Sequence, residues 1–421
     1  MPPHHCNGDA KGQLGQLRHI PLAYDTANSE SSARALILTL RPEWSSADSK
    51  IEFTSFKDGI TNTLLKAVNR KDGLSKEDID KEALLLRAYG HGTDILIDRH
   101  RETQNHELLM KYGLAPELLA RFDNGMIYRY IQGTVTQPAD LRTPSIYLAV
   151  ARRLAQWHAT IPCIYETPAQ SNGVNGHANG HDATTTGYTV PGKPSPNVWT
   201  VMQKWILALP TKTDAQRARQ ATLQQELAKL VEELSQRPGL GDNGLVFAHC
   251  DLLSGNVIIE PQSSSNGVTE GVAPQKTVSF IDYEYATPSP AAFDLANHFA
   301  EWGGFDCDFT VLPTRAQRLE FIREYVDTYF NLLPGKSGSV DKETETQRLL
   351  AEVDTFRGVP GFYWGIWALI QATISHIDFD YAEYAEIRLG EYWGWREATK
   401  DSDDSTKKEL SVRETRWAQP E

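Results

Sequence analysis

Short apolar-rich runs separated by polar turns predict a β-rich unit in the first third of the chain. Residues 51–56 and 62–68 are two such runs of strand length, and the Asp58-Gly59 pair between them is typical of a hairpin turn. Three more apolar runs of strand length follow, with one stretch of helical spacing among them. We therefore predict strands at 51–56, 62–68, 83–89, 118–122 and 126–131, and a helix at 99–112.

Helical spacing prevails after Pro144, which predicts a larger, mainly helical second unit. The expected fold class is α+β, with a small N-terminal β-sheet lobe with one helix at 46–131 and a large helical C-terminal lobe at 132–399. Segments without apolar periodicity flank or interrupt these lobes. We predict a disordered tail at 1–45, a low-complexity insertion at about 166–195 and a polar tail at 400–421.

Charge and cysteine content narrow the class of protein. The 421 residues include 42 basic and 55 acidic side chains, and the net charge of -13 argues against a nucleic-acid partner and favours a cationic or metal-bound small substrate. The four cysteines form no C-x-x-C pair, so neither a disulfide framework nor a zinc site is indicated. The N-terminus has no secretory signal, and the most apolar segment, 361–374, is too short to cross a bilayer. We expect a cytoplasmic protein with reduced thiols and no membrane insertion.

The segment around Asp251 carries the clearest chemistry. His249, Asp251 and Asn256 form the pattern His-x-Asp-x-x-x-x-Asn after one apolar strand, and a second apolar strand leads to Asp282. Phosphoryl transfer from ATP requires an Asp that orients the attacking hydroxyl and accepts its proton, together with oxygen ligands for Mg²⁺. Asp251 fits the first role, and Asn256 and Asp282 fit the second. The pattern alone is weak, because Asp and Asn also populate ordinary turns.

Two further motifs strengthen this interpretation: Asp282-Tyr-Glu-Tyr285 and Phe293-Asp294-Leu-Ala-Asn-His-Phe-Ala-Glu301. With the Asp251 motif they resemble the signature of the choline/ethanolamine kinase family, and the resemblance runs from about residue 53 to about residue 393. It implies a two-lobed protein-kinase-like fold, the use of ATP and Mg²⁺, and a small amino alcohol as substrate. His249 and Asp294 are then expected to be structural supports of the catalytic loop rather than an acid or a base.

The resemblance also implies nucleotide-binding residues in the first lobe. It predicts a loop that covers the phosphates, although the same loop suits an ordinary hairpin and contains no G-x-G-x-x-G motif. It further predicts an Arg that binds phosphate oxygens, a Glu that pairs with this Arg, and two backbone positions that face adenine. The residues of the loop are Asp58, Gly59, Thr61 and Asn62. The Arg is Arg87 and its partner is Glu102, and the two backbone positions are Arg129 and Ile131.

The amine substrate is expected to bind in the helical lobe. Trp364 and Trp367 are three residues apart and share a helix face, either as a core stripe or as a cation site in which aromatic faces attract an ammonium group. The ammonium pocket of the family matches these two positions and Tyr384, which favours the cation site. The resemblance adds three more residues that line the amine site: Glu284, Tyr285 and Glu301.

Two local features favour ethanolamine over choline. Leu253 and the Asp58-Gly59-Ile60 turn look like those of ethanolamine kinases, whereas choline kinases commonly carry Gln at the position of Leu253. Cys250 departs from the more common Asn of the family. We expect an ethanolamine kinase that makes phosphoethanolamine for phosphatidylethanolamine synthesis. The alternatives are a choline or dual-specificity kinase, an aminoglycoside-type phosphotransferase and an inactive scaffold. The oligomeric state stays open, and a homodimer is one option.

Overall fold

The computed structural model describes residues 17–56, 62–90, 92–164, 193–261, 275–336, 338–375, 377–400 and 410–421. The chain forms two compact units. The described residues of the smaller unit come from Met1–His91 and Pro116–Ile131, and those of the larger unit come from Gly92–Ala115 and Gln132–Glu421. The Asp58-Gly59 turn and nearly all of the predicted 166–195 insertion lie outside the described residues.

A six-stranded sheet organises the smaller unit. Its strands are β1 (His19–Ile20), β2 (Lys50–Phe56), β3 (Asn62–Arg70), β4 (Leu84–Tyr89), β5 (Leu118–Phe122) and β6 (Gly125–Arg129), in the order β1-β5-β6-β4-β3-β2. β1 is parallel to β5, and the other neighbours are antiparallel. The register places Leu65 opposite Leu86 and Leu86 opposite Ile127, so directly paired side chains form one buried apolar row. The five predicted strands are therefore present, and β1 adds a sixth.

The N-terminal part of this unit differs from the predicted disordered tail. Helix α1 (Ser29–Leu40) follows β1, and its Ala33, Leu36 and Ile37 are fully buried in the same core cluster as Leu65. Spacings of three and four residues place these side chains on one helix face, which the sheet covers. The prediction of disorder for residues 1–45 is therefore wrong over the helix. A second short helix, α2 (Lys76–Lys81), lies between β3 and β4.

Helices dominate the larger unit. They are α3 (Arg99–Lys111), α4 (Pro144–Thr160), α5 (Val198–Ala208), α6 (Asp214–Leu234), α7 (Ala291–Ala300), α8 (Arg315–Leu332), α9 (Lys342–Phe356), α10 (Val359–Ile374), α11 (Tyr381–Ala398) and α12 (Val412–Trp417). Short strands flank the loops of the site. They are β7 (Thr134–Val135), β8 (Val246–Ala248), β9 (Val257–Ile259), β10 (Val278–Phe280) and β11 (Thr287–Ser289). They pair as β10-β9-β7 and β11-β8.

Two elements of the larger unit differ from the sequence prediction. Helix α3 was expected in the first lobe, but Asn105 donates to the carbonyl of Ala286 at 2.9 Å and Arg101 donates to that of Ile164 at 2.8 Å, both within the larger unit. The polar tail predicted at 400–421 contains α12, whose Trp417 is buried beneath the guanidinium of Arg318 at 3.9 Å.

Close packing of α10 against α11 positions the aromatic residues discussed below. A Cβ on Gly361 would lie 2.5 Å from the carbonyl oxygen of Arg388, and a Cβ on Gly365 would lie 2.6 Å from a side-chain carbon of Leu389. Glycine at both positions therefore lets the helix backbones approach. Among the described helices, none has the length and hydropathy that crossing a bilayer would require.

Candidate active site

The backbone before Asp251 is held by one buried carboxylate. Asp294 on α7 accepts hydrogen bonds from the backbone N–H of His249 at 3.0 Å and of Cys250 at 2.8 Å, and its Oδ2 lies 3.0 Å from Nε2 of His158. Cys250 has a φ of 64°, a left-handed conformation that a non-glycine residue adopts at an energetic cost. The Asp294 contacts offset this cost and fix the direction in which the chain presents Asp251.

His249, as a neutral imidazole, also helps to hold the backbone around Asp251. Its Nε2 donates to the carbonyl of Ile281 at 3.0 Å, and its Nδ1 accepts the backbone N–H of Asp251 at 3.3 Å. Burial lowers the pKa of His249 to about 4. This arrangement is compatible with the predicted supporting role, because both ring nitrogens are engaged by backbone.

Asn256 holds the Asp251 side chain. Its amide Nδ2 donates to the Asp251 carbonyl at 2.8 Å and to Asp251 Oδ2 at 3.1 Å. Asp251 is 7% exposed, and its pKa is raised well above the ordinary value by burial, then by the charges of Asp282, Glu301 and Glu284. The structure therefore brings three predicted acidic residues, Asp282, Glu284 and Glu301, near the buried carboxylate of Asp251.

Asp282 and Glu284 follow β10 on the other side of Asp251. Asp282 has a φ of 64° and is partly buried. Glu284 Oε2 lies 3.3 Å from Nη1 of Arg99, and the same Nη1 donates to Glu102 Oε2 at 2.9 Å. The sequence analysis did not single out Arg99, although its position in the Asp98-Arg-His-Arg-Glu102 run, three residues before Glu102, was a usable signal.

The nucleotide residues predicted in the smaller unit are placed only in part. Arg87 lies on β4 and is 4% exposed, Asn62 begins β3, and Ile131 is half-buried; the predicted pairing of Arg87 with Glu102 stays a prediction. Arg129 donates its backbone N–H to the carbonyl of Glu117 at 2.9 Å, so this donor is already used within the sheet. The remaining loop residues, Asp58, Gly59 and Thr61, lie outside the described residues.

Aromatic side chains of α10 meet Tyr285. The indole N–H of Trp367 donates to the Tyr285 hydroxyl at 2.8 Å, and that of Trp364 donates to Asn297 Oδ1 at 2.8 Å. The two tryptophan rings lie 5.5 Å apart at 87°. Burial raises the pKa of Tyr285, and the charges of Glu284 and Asp251 raise it further. Asn297, which accepts from Trp364, also donates to the carbonyl of Cys250 at 2.9 Å, so the cluster lies close to the segment that carries Asp251. Both indole N–H groups already have protein acceptors, so an ammonium group could interact only with the faces of the two rings.

A second group of aromatic residues extends this cluster along α11. Tyr381 lies 5.7 Å from Trp367, Phe379 lies 4.9 Å from Tyr381, and Tyr384 lies 5.6 Å from Phe379. Of these three, the sequence analysis identified only Tyr384. Tyr381 and Phe379 were missed because residues 377–381 show no motif, and only the fold brings them to Trp367.

Glu301 at the end of α7 is paired with an arginine that the sequence analysis also missed. Nη2 of Arg388 donates to Glu301 Oε1 at 2.8 Å, and both side chains are buried. The pKa of Glu301 is nevertheless raised, because burial outweighs the opposing charge of Arg388. Glu301 is thus a buried carboxyl group held in place by α11, the helix that carries Tyr384.

Comparison with known proteins identifies the family. The sequence model described as Choline/ethanolamine kinase matches residues 53–393. Ethanolamine kinase 2 of Rattus norvegicus is 32% identical over 377 residues, which cover 88% of this chain and 83% of the rat protein.

Two solved structures share the fold. An ethanolamine kinase of Plasmodium vivax superposes with a TM-score of 0.63 at 23% identity, covering 87% of this chain and 89% of that one. A choline kinase of Cryptosporidium parvum superposes with a TM-score of 0.58 at 19% identity, covering 88% and 96%. The predicted α+β, two-lobed kinase-like fold is confirmed. With the match to the family model and the identity to the rat enzyme, these findings show that this chain is a phosphotransferase enzyme and a member of the choline/ethanolamine kinase family.

Proposed function

We propose that this chain transfers the γ-phosphate of ATP to the hydroxyl of ethanolamine, giving phosphoethanolamine, the first step of the CDP-ethanolamine route to phosphatidylethanolamine. One observation carries the proposal: the buried carboxylate of Asp251 lies among acidic residues and beside a cluster of aromatic rings. A proton acceptor next to a cation-binding surface suits a substrate with a hydroxyl at one end and an ammonium group at the other.

Asp251 is the proposed base. A raised pKa strengthens a carboxylate as a proton acceptor, and Asn256 restricts its orientation through one hydrogen bond to Oδ2 and one to the backbone carbonyl of Asp251. Asp294 and His249 act indirectly, because they fix the backbone from which Asp251 projects. In this proposal neither of them touches the substrate.

Asn256 and Asp282 offer the oxygen ligands that a magnesium ion prefers. Asn256 donates through Nδ2, which leaves its Oδ1 to serve as a ligand, and Asp282 adds a carboxylate. The described residues contain no group of three or more His, Cys, Asp or Glu side chains arranged to hold a metal. That is compatible with Mg²⁺, which is usually bound by one or two protein groups together with phosphate oxygens and water. When bound, the ion would neutralise negative charge on the phosphates.

ATP binding is assigned to the residues that the resemblance predicts for it. We propose that Arg87 binds phosphate oxygens, with Asn62 in the loop that covers them and Glu102 as its partner. Because the backbone N–H of Arg129 is used by Glu117, Ile131 is the better candidate for a hydrogen bond to adenine. The loop residues Asp58, Gly59 and Thr61 complete the assignment.

The amine is assigned to Trp364, Trp367, Tyr285 and Tyr384 on the aromatic side, and to Glu284 and Glu301 on the acidic side. A primary ammonium has three N–H donors and needs acceptors, whereas a trimethylammonium has none and needs an aromatic enclosure. No described residue donates a hydrogen bond to Oε2 of Glu301. This available acceptor favours ethanolamine, and several relatives named ethanolamine kinases, with Leu253, support the same choice.

Choline kinase is the second candidate, because the aromatic cluster also suits a trimethylammonium group. An inactive scaffold is disfavoured, because the proposed base and both proposed magnesium ligands are present in the sequence. The described cysteines, Cys163, Cys250 and Cys307, carry free thiols, which fits the proposed location in the reducing cytoplasm.

The test is release of ADP by the purified full-length chain with ATP and Mg²⁺. Ethanolamine, choline and a panel of aminoglycosides are offered separately over a range of concentrations. We expect the highest kcat/KM with ethanolamine. A higher value with choline would replace the substrate assignment, and ADP release stimulated only by an aminoglycoside would remove the amino-alcohol assignment altogether.

A further inference from the structure

The buried pair of Glu301 and Arg388 does not end at these two residues. Glu391, one turn further along α11, lies 3.4 Å from Nε of Arg388 through Oε1 and 3.5 Å from Nε of Arg413 through Oε2. Arg413 belongs to α12 and donates to Glu414 Oε1 at 2.8 Å. Carboxylates and guanidinium groups therefore alternate from Glu301 to the C-terminal helix, with hydrogen bonds at the two ends and longer ion-pair contacts at Glu391.

This row of charges is shielded from water. The side chains of Arg388, Glu391 and Arg413 are each 1% exposed, and those of Glu301 and Glu414 are each 5% exposed. Buried charges that lack partners are strongly unfavourable, so each member depends on its neighbours for its position. A row of this kind holds side chains in one geometry more firmly than a surface ion pair does.

Helix spacing connects Arg388 to the aromatic side of the same site. Tyr384 lies four residues before Arg388 on α11, and the guanidinium carbon of Arg388 is 5.7 Å from the centre of the Tyr384 ring. The backbone of α11 passes close to α10 at Gly361, three residues before Trp364. Arg388 therefore contacts two of the residues assigned to the ammonium group, Glu301 and Tyr384.

We propose that Arg388 is a positioning residue that determines amine specificity: it fixes the Glu301 carboxylate through Oε1, and Glu391 and Arg413 hold it in place from the C-terminal helix. The inference rests on the proposed function. It adds α12, a segment outside the matched residues 53–393, to the structure that shapes the amine site.

The physical reason lies in the two oxygens of Glu301. Because Oε1 is bound by Arg388, the carboxylate cannot rotate freely, and Oε2 is presented in a fixed direction. A primary ammonium gains from an acceptor that is already oriented, since no side-chain freedom is lost on binding. A trimethylammonium donates no hydrogen bond, so it gains little from that orientation.

The experiment measures steady-state kinetics of Arg388→Met and Arg388→Lys with ethanolamine and with choline. Loss of one charge-assisted hydrogen bond corresponds to roughly tenfold, so Arg388→Met should raise the KM for ethanolamine by roughly tenfold or more. The KM for ATP should stay within about twofold, and the preference for ethanolamine over choline should fall. Arg388→Lys keeps the charge and should recover part of that preference.

Arg396→Met is the matched control. Arg396 lies on the same helix and is also ion-paired, but it pairs with Glu233 at 2.6 Å and makes no contact with Glu301 or Tyr384. The Arg396→Met variant should have a changed thermal stability but the same ratio of kcat/KM for ethanolamine to kcat/KM for choline as the parent. Equal shifts of that ratio in Arg396→Met and Arg388→Met would reduce Arg388 to a structural residue and overturn the proposal.

The link to α12 is tested by Arg413→Lys and Glu391→Gln, which are milder changes in case Arg388→Met does not fold. Both should lower the preference for ethanolamine, and by less than Arg388→Met does. An unchanged preference in Arg388→Lys, Glu391→Gln and Arg413→Lys would overturn the inference while the parent chain still phosphorylates ethanolamine. A parent chain that phosphorylates no amino alcohol would instead overturn the proposed function, and this inference with it.

Discussion

The carboxylate of Asp294 accepts the backbone N–H of Cys250 at 2.8 Å, at the residue where the chain turns into a left-handed conformation just before Asp251. The same carboxylate is bound by His249 N–H and lies against His158. Its pKa is lowered even though burial acts to raise it, because these donors outweigh burial. The family's more common Asn at the position of Cys250 is explained by the same geometry, since Asn is enriched at positive φ.

Asp294→Asn should therefore lower both stability and turnover. The amide can accept only through one oxygen, so at least one buried donor loses its partner, and we expect the free energy of unfolding to fall by about 3 kcal/mol. Urea unfolding measures the loss, and kcat should fall with it because the Cys250 backbone is no longer fixed. The solvent-exposed Asp72 provides the control. A stability of Asp294→Asn as close to the parent as that of Asp72→Asn would contradict the supporting role.

The proposed metal ligands should affect the magnesium requirement. Asn256→Ala and Asp282→Ala each remove an oxygen ligand, so half-maximal activity should need a higher magnesium concentration, and the maximal rate should fall. Asp214→Ala, at an exposed carboxylate on α6, should leave the magnesium titration unchanged. If all three variants titrate like the parent, Asn256 and Asp282 are not magnesium ligands.

The two tryptophans of α10 should affect the amine and not the nucleotide. Trp364→Leu and Trp367→Leu keep an apolar side chain but remove the aromatic face, and the KM for the amine should rise roughly tenfold while the KM for ATP stays constant. Trp199 on α5 is also buried and packs on Phe356, so Trp199→Leu is a matched core substitution. If all three variants only lower the melting temperature, the tryptophans form a core stripe and not a cation site.

Two buried histidines contribute a part of the stability that is lost in mild acid. Burial lowers the pKa of His249 and of His298 from 6.5 to about 4. Between these values the unfolded chain binds protons that the folded chain does not, so the free energy of unfolding decreases as pH falls from 6.5 to 4, by about 3 kcal/mol for each histidine.

His298→Asn tests this pH dependence. The Asn amide can replace the hydrogen bond from His298 Nδ1 to the carbonyl of Leu252, and urea unfolding of the variant should lack the acid destabilisation of about 3 kcal/mol that His298 contributes, while the groups that titrate elsewhere stay the same. His100→Asn, at an exposed position on α3, should retain all of it. The same pH slope in both variants would show that His298 does not bind a proton on unfolding.

Local patterns predicted the sheet well, and they failed where packing supplies the stability. Strands β2 and β3 were predicted from two short apolar-rich runs and the Asp-Gly pair between them, which are properties of neighbouring residues. Helix α1 was missed because its apolar stripe of Ala33, Leu36 and Ile37 is short and follows a polar segment; the sheet covers that stripe. Helix α12 was missed for the same reason, since Trp417 packs against Arg318 nearly a hundred residues earlier.

Motifs likewise predicted the residues around Asp251 but not the partners that hold them. Arg388 and Glu301 are 87 positions apart, and no spacing rule connects them. Arg99 was overlooked because Glu102 was expected to pair with Arg87, and a partner three residues earlier on the same helix was not considered beside it. The positive φ of Cys250 and Asp282 depends on tertiary contacts and could not be predicted from either residue type.

The most direct test of the account is the product formed from an equimolar mixture of ethanolamine and choline with ATP and Mg²⁺, followed by ³¹P NMR for the parent chain and for Asp251→Asn. The parent should form mainly phosphoethanolamine. Asp251→Asn should form it roughly 10²- to 10⁴-fold more slowly while still binding ATP, since it lacks the proton acceptor. Phosphocholine as the main product would contradict the substrate assignment, and an undiminished rate in Asp251→Asn would contradict the proposed mechanism.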